Sequence, residues 1–305
     1  MSLPPLPKRF TVYRRHLKIP NFYCLGRAHL KAAQEPIPMH SHILEMEIGY
    51  LASGRQAYYI EDRLHDMRGN DLLIVKPGEM HGTLSLPAEK TTLYWLNLDM
   101  RFLNGSFLGA QGKEARKLHH SLRTMKRRFF RGDSGLKSIL DRIIQTFISK
   151  KPFHRTVIQN LLTEFAVQVV DFSQKKENQH VPFRLKSSLD YISKNVEEDI
   201  RVETLAKMSG LSPGRFRANF IDAVGIPPKE YILREKFNRA KVLLKKENTG
   251  VTRIAHDLHF SSSQHFATAF RRYTGLTPLE FRDSGSPSRK ISKRRTRGSF
   301  VPPNP

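Results

Sequence analysis

The chain has 305 residues, with 52 Lys and Arg against 28 Asp and Glu, for a formal net charge of +24. Apolar residues make up 39% and aromatics 10%, which excludes a wholly disordered chain, and at roughly 100–200 residues per domain the length implies two domains. The single cysteine, Cys24, excludes an intramolecular disulfide and a multi-cysteine zinc site. No run approaches the roughly 18 apolar residues of a membrane span, and the N-terminal residues do not read as a signal peptide. A soluble cytoplasmic protein with no membrane partner is expected.

The charge is uneven. Residues 1–100 carry a net +2, residues 101–183 a net +10, residues 184–283 a net +6, and the last 22 residues six cations and no acid. Such an excess favours polyanions, because phosphate binding gains from counterion release.

In chain order, residues 1–20 are Pro-rich and basic and read as an N-terminal arm. Residues 21–100 read as short strands separated by turns: Gln56–Ile60, Asp71–Val75 and Leu93–Leu98 are β-rich, with turns at Glu61–Arg63 and Lys76–Glu79. Strands this short and closely spaced suggest a small barrel or sandwich. Residues 101–173 change to helical periods over Lys113–Phe129, Leu136–Ser149 and Thr156–Phe172. The third has a broad apolar face (Val157, Leu161, Leu162, Phe165, Ala166, Val169, Val170) that either packs on the barrel or pairs with a second subunit. Residues 174–183 are a polar linker, residues 184–283 are helical again, and residues 284–305 form a basic tail expected to be disordered.

The last hundred residues repeat themselves. Phe216, Phe220, Gly225, Ile226, Pro228, Glu230 and Tyr231 match Phe266, Phe270, Gly275, Leu276, Pro278, Glu280 and Phe281 at a separation of 50, while Leu205-Ala206 match Ile254-Ala255 at 49. Each half reads as a helix-turn-helix. Val202–Ser209 and Val251–Leu258 are first helices, Gly210 allows the positive φ of a tight turn, and Ser212 and either Ser261 or Ser262 cap the second helices. Pro228–Lys246 is one long helix between them, with Tyr231, Ile232, Phe237, Ala240, Leu243 and Leu244 buried. Held about 34 Å apart, the two second helices would enter successive major grooves of B-DNA.

These residues resemble the AraC/XylS family of bacterial transcription regulators, on Ala206-x3-Gly210-Leu211-Ser212, Arg239-Ala240-x2-Leu243-Leu244, Ile254-Ala255-x4-Phe260-Ser261-Ser262 and Phe270-Arg271-Arg272-x2-Gly275-x-Thr277-Pro278-x-Glu280-Phe281-Arg282. The resemblance implies double-stranded DNA as partner, an N-terminal sensor for a small-molecule effector (a sugar among the candidates), a homodimer and contact with RNA polymerase. The family's base-reading positions fall at Gly214, Arg217 and Ala218 in the first recognition helix, leaving Arg217, aided by Arg215, to contact guanine. In the second they fall at Ser263, Gln264, Ala267 and Thr268; the last is frequently Arg in the family, and Thr268 departs from it. Lys229, Arg271 and Arg272 are expected on phosphate, which positions without specifying.

The N-terminal half carries His40-x-His42-x4-Glu47-x6-Gly54 and, after Pro77-Gly78, His81. Positions 40 and 42 share a strand face, and Glu47 breaks the parity, so a loop or bulge must intervene. This set resembles the cupin barrel, in which three His and one Glu hold Fe, Mn or a similar divalent metal. Three readings stay open: a bound metal, a metal-free effector pocket, and histidines that merely satisfy hydrogen bonds. His119, His120, His154, His180 and His256 read as surface positions.

The fold class expected is therefore multidomain α+β: a cupin-like β-barrel with a helical segment, then an all-α domain with two helix-turn-helix motifs. The function expected is an effector-responsive regulator, not an enzyme, with no cofactor required and a divalent metal as an option. A cupin-type metal-dependent dioxygenase or isomerase fused to a DNA-binding module is the alternative. An alkyl-transfer repair protein would need Cys24 activated, and Cys24 has no basic neighbour in sequence.

Overall fold

The computed structural model describes residues 6–84, 90–102, 104–175, 183–245 and 249–284. The chain divides into two compact units: residues 1–30, 38–84 and 91–178 form the first, and residues 31–37, 85–90 and 179–305 the second.

The first unit is a sheet covered by helices. Its strands are β1 (Arg9–Tyr13), β2 (Phe22–Leu30), β3 (Glu45–Ile60), β4 (Arg63–Arg68), β5 (Asp71–Val75), β6 (His81–Gly82), β7 (Thr91–Asp99) and, beyond the small β8–β9 hairpin (Ser106–Phe107 and Ala110–Gln111), β10 (Phe129–Arg131). The main path runs β1-β2-β7-β3-β5-β10, with β4 and β6 pairing to β3, and it does not close into a ring among the described residues. The long β3 does two jobs. Its first half pairs with β5 and β7, its second half with β4 and β6, and its register slips against β7 between Leu51 and Ser53, where Gly54 has a φ of 98°.

The supposed arm is partly built into the sheet: β1 pairs antiparallel with β2, and the short helix α1 (Arg14–Leu17) follows it. Val12, Leu17 and Ile19 are buried, because this segment has just enough alternating apolar side chains to cover the sheet edge. The helix expected over Lys113–Phe129 is shorter. α2 (Gly112–Arg123) stops at Thr124, and Phe129–Arg131 pairs with β5 instead, with Phe130 opposite Leu72 and only 1% exposed. The open backbone of β5 and burial of Phe130 outweigh the local helical period.

α3 (Ser134–Ser149) and α4 (His154–Gln174) complete this unit. Ile139, Ile143, Leu161, Phe165 and Val169 share one apolar core with Ile48, Leu72, Tyr94 and Leu96 of the strands. The apolar face of α4 is thus consumed within the unit, apart from Val157, which is exposed. The segments expected as separate, 21–100 and 101–173, form one body.

The second unit is helical: α5 (Phe183–Lys194), α6 (Val202–Met208), α7 (Pro213–Val224), α8 (Pro228–Lys245), α9 (Val251–Asp257), α10 (Ser263–Thr274) and α11 (Pro278–Ser284). The repeat legible in the text is repeated in the backbone. α7 and α10 have equal length 50 residues apart, α6 and α9 lie 49 apart, and both second helices end on a left-handed glycine, Gly225 (φ 82°) and Gly275 (φ 81°). The slip falls in the hairpin turns, where Gly210 (φ 64°) is matched by His259 (φ 56°). Ser212 accepts from the Arg215 amide at 3.4 Å, and Ser262, rather than Ser261, accepts from the His265 amide at 3.0 Å.

α8 belongs to two cores at once. Ile232 packs with Leu205, Ala206, Phe216 and Phe220, whereas Phe237, Ala240 and Leu244 pack with Ile254, Ala255, Phe266 and Phe270. Two buried cations on this helix went unseen in the sequence. Lys236 donates from Nζ to the Leu258 carbonyl at 2.8 Å, closing the C-terminal end of α9. Arg234 lies over the Tyr273 ring at 5.6 Å and pairs with Glu230. The linker residues 176–182 and the tail residues 285–305 lie outside the described residues.

In chemical denaturation of the whole chain, Phe237→Ala should cost about 3–5 kcal/mol, the usual loss for a buried phenylalanine. Ser262→Ala should cost only about 1 kcal/mol, the value of one helix cap.

Candidate functional site

Two candidate sites are built by these elements, one in each unit. In the helical unit, Phe216, Phe220 and Val224 turn α7 inward, which leaves Gly214, Arg215, Arg217, Ala218 and Asn219 exposed. Phe266 and Phe270 do the same for α10, leaving Gln264, His265 and Thr268 exposed and Ser263 half-buried. Every base-reading candidate, Arg215, Arg217, Ser263, Gln264 and Thr268, therefore lies on the side of its helix away from the core. Lys229, Arg271 and Arg272 are exposed as well. Arg272 is not wholly free, since its Nε donates to the Lys31 carbonyl at 3.0 Å within this same unit.

In the sheet unit, His40, His42, Glu47 and His81 converge, each offering one donor atom, all within 4.8 Å of one another. The chain brings them together by three routes. His40 pairs backbone to backbone with His81, with N–O distances of 2.9 and 2.8 Å. Residues 41–44 are a loop that resolves the parity break, and β3 then presents Glu47 beside Asn97 of β7. His81 opens β6 just past the Pro77-Gly78 turn.

Two of the three imidazoles are oriented by backbone carbonyls. Nδ1 of His40 donates to the Pro38 carbonyl at 2.9 Å and Nδ1 of His81 to the Glu79 carbonyl at 3.0 Å, which leaves each Nε2 directed at the cluster. Glu79 is itself clamped by the Arg128 guanidinium, whose Nε also donates to the Ile74 carbonyl at 2.9 Å. Asn97 donates to Glu47 Oε2 at 3.4 Å. These supporting partners were invisible in sequence, because Asn97 and Arg128 are 50 and 49 residues from the groups they hold.

Burial opposes ionisation of Glu47, yet His42 and His81 beside its carboxylate outweigh that and hold its pKa below the ordinary value. Burial likewise works against a proton on His81, and Glu47 more than compensates. His40 is pushed down by burial and by the neighbouring His81. The contacts are nevertheless loose: His42 Nε2 and His81 Nε2 stand 3.4 and 3.5 Å from Glu47 Oε2, and among the described residues the buried His81 Nε2 has no hydrogen-bond partner. A charge-assisted pair would close to about 2.7–2.9 Å. A transition metal at about 2.1 Å from each donor sets donors roughly 3–4 Å apart, so the residues present fit such an ion.

The remaining histidines divide. His120 and His256 are exposed; His154 is partly covered, and His119 is half-buried with Nε2 bonded to the Met100 carbonyl at 2.8 Å. His180 lies outside the described residues.

Cys24 is 6% exposed, with Sγ 3.6 Å from Asn97 Oδ1, and burial followed by the Glu47 charge pushes its thiol up to about 12. A thiolate nucleophile is disfavoured there. Native protein at pH 8 should leave Cys24 unmodified by a thiol-exchange reagent, while the urea-unfolded chain reacts with one equivalent.

Against known proteins, residues 27–166 match the model of an AraC-like ligand binding domain and residues 205–284 that of a helix-turn-helix domain. An uncharacterized HTH-type transcriptional regulator of Staphylococcus aureus is 20% identical over 257 residues, covering 83% of this chain and 33% of its own length. A putative HTH-type regulator of Escherichia coli, YkgA, is 33% identical over 98 residues, covering 32% of this chain and 41% of its own. The chain thus spans about a third to two-fifths of the length of these curated relatives. Among solved structures, an AraC-type regulator from Chromobacterium violaceum aligns at 27% identity and a TM-score of 0.33, over 34% of this chain and 93% of its own. With a ligand-binding model over one unit and a DNA-binding model over the other, the chain belongs to the AraC family of transcriptional regulators.

Proposed function

We propose that this protein is a sequence-specific DNA-binding transcription regulator, with two helix-turn-helix motifs in the helical unit and a cupin-like sensor in the sheet unit. The observation that carries the reading is α8: one helix shared by both hairpin cores presents the outward faces of α7 and α10 as a fixed pair. α7 and α10 are the recognition helices, and Arg215, Arg217, Ser263, Gln264 and Thr268 are the side chains within reach of base edges. Lys229, Arg271 and Arg272 serve the phosphates. A homodimer in the cytoplasm, contacting RNA polymerase, is the assembly this reading implies.

For the effector, the His/Glu set favours a divalent transition metal, alone or as the anchor of a small anionic ligand. His40, His42, Glu47 and His81 would hold it; Asn97, Glu79 and Arg128 orient those ligands. Such an ion would supply a cross-link between the 41–44 loop, β3 and β6 through these residues. Regulation requires that the ion favour one state of the protein over another, since equal affinity for both shifts nothing. The sugar effector has no comparable observation in its favour.

Selection from a random duplex library should return a defined site, with protection over about two helical turns per protomer. Arg217→Ala should relax preference at one base pair and cost about 1–3 kcal/mol there, whereas Arg271→Gln should weaken binding to all sequences alike. Loss of neither affinity nor preference in Arg217→Ala would remove α7 from the groove.

Equilibrium dialysis against Mn2+, Fe2+, Ni2+ and Zn2+ should give one ion per chain. Glu47→Gln should lower that affinity by at least the roughly 10–100-fold typical of losing even a supporting partner. Failure of the unaltered protein to bind any of the four would rule out the metal effector and leave the DNA reading standing.

A further inference from the structure

Within the net +10 of residues 101–183, Arg128 supports the histidine cluster through Glu79, whereas a group of cations on and just past α2 is used by neither site. Ala115, Leu118 and Leu122 face the core of the sheet unit. The opposite face carries Lys113, Arg116, Lys117, His120 and Arg123, all exposed, and Lys126 continues the stripe just past the helix end. These positions recur every three or four residues, so they stand on one side of the helix. Glu114 is the only acid on α2 and Arg128, nearby, is already committed to Glu79. Among the described residues, Lys113, Arg116, Lys117, Arg123 and Lys126 have no ion-pair partner, whereas Lys137 and Arg131 of the same unit are paired with Asp141 and Asp71. A shallow depression runs along this stripe, lined by Phe102, Arg116, Lys117, His119, His120 and Arg123.

Unpaired like charges at neighbouring positions on a helix repel and destabilise it slightly, so the stripe does not contribute to folding. It is suited to a polyanion. From Lys113 to Arg123 the helix extends about 15 Å at 1.5 Å per residue, a length over which duplex DNA presents roughly nine phosphate charges. We propose that the outward face of α2 is a second DNA-contact surface, carried by the sensor unit, that binds the phosphate backbone without reading sequence. The inference rests on the regulator reading and extends the DNA interface beyond the helical unit.

The experiment measures the whole 305-residue chain on a random-sequence duplex of about four helical turns. Affinity is followed as salt is raised. Each phosphate contact adds about 0.9 to the slope of log affinity against log salt. The triple variant Arg116→Gln, Lys117→Gln, Arg123→Gln should lower that slope by about 2–3, with an unchanged melting temperature. A control triple, Arg142→Gln, Lys151→Gln, Arg155→Gln, removes the same charge from exposed positions elsewhere on this unit and should change the slope by less than about 1. Equal effects of the two triples would mean that only net charge matters and would overturn the proposal. So would an intact salt slope in the α2 triple accompanied by lost retention on polyglutamate, which would assign the face to an acidic protein. Absence of duplex binding by the unaltered protein would sink the regulator reading itself.

Discussion

Burial of one helix in two separate cores is the constraint on which the helical unit depends. α8 gives Ile232 to the first hairpin and Phe237, Ala240 and Leu244 to the second, and Lys236 closes the end of α9. Burying each large apolar side chain contributes about 1.5–3 kcal/mol, so neither hairpin turns relative to the other without losing several of them. Arg239 adds a tie from the same helix to Glu197 at 2.6 Å, ahead of α6. A pair of helices held this way presents two outward faces at one relative angle, which is what recognition of two neighbouring stretches of duplex requires.

The sheet unit works on a different principle. There the costly group is a carboxylate, Glu47, placed on the central strand between β5 and β7 and only 8% exposed. Nothing apolar compensates a charge so placed; it has to be met by protons, by hydrogen bonds or by a cation. His42 and His81 meet it in part, at distances longer than a closed pair, and Asn97 takes up another share. Backbone carbonyls fix two of the three imidazoles of the cluster. Arg128, arriving from the α2–β10 connection, ties that orientation to the helical layer through Glu79.

How much of this was legible differs between the units. The double hairpin could be read almost residue by residue, since its signals are local: a capping serine, paired phenylalanines, a glycine at each helix end and Pro-x-Glu after it. The one ambiguity, Ser261 or Ser262, turned on a single hydrogen bond. The strands of the sheet unit were also legible as short β-rich runs between turns. The arm and the long basic helix were not. Arg9–Tyr13 and Phe129–Arg131 are strands only because β2 and β5 offer them unpaired edges, and no local pattern announces an edge.

By itself, then, the sequence determined the two-unit organisation, the duplicated hairpins, the outward helix faces and the four residues His40, His42, Glu47 and His81. Periodicity and turn chemistry act over a few residues, and such information survives in a linear text. Tertiary structure alone decided that α4 covers its own sheet and that Arg234 and Lys236 are buried. It also decided that Asn97, Glu79 and Arg128 support the histidine cluster, and that Lys113, Arg116, Lys117 and Arg123 of α2 have no ion-pair partner among the described residues. Those outcomes depend on pairs far apart in the chain, where the burial available to each side chain is set by what the rest of the fold leaves uncovered.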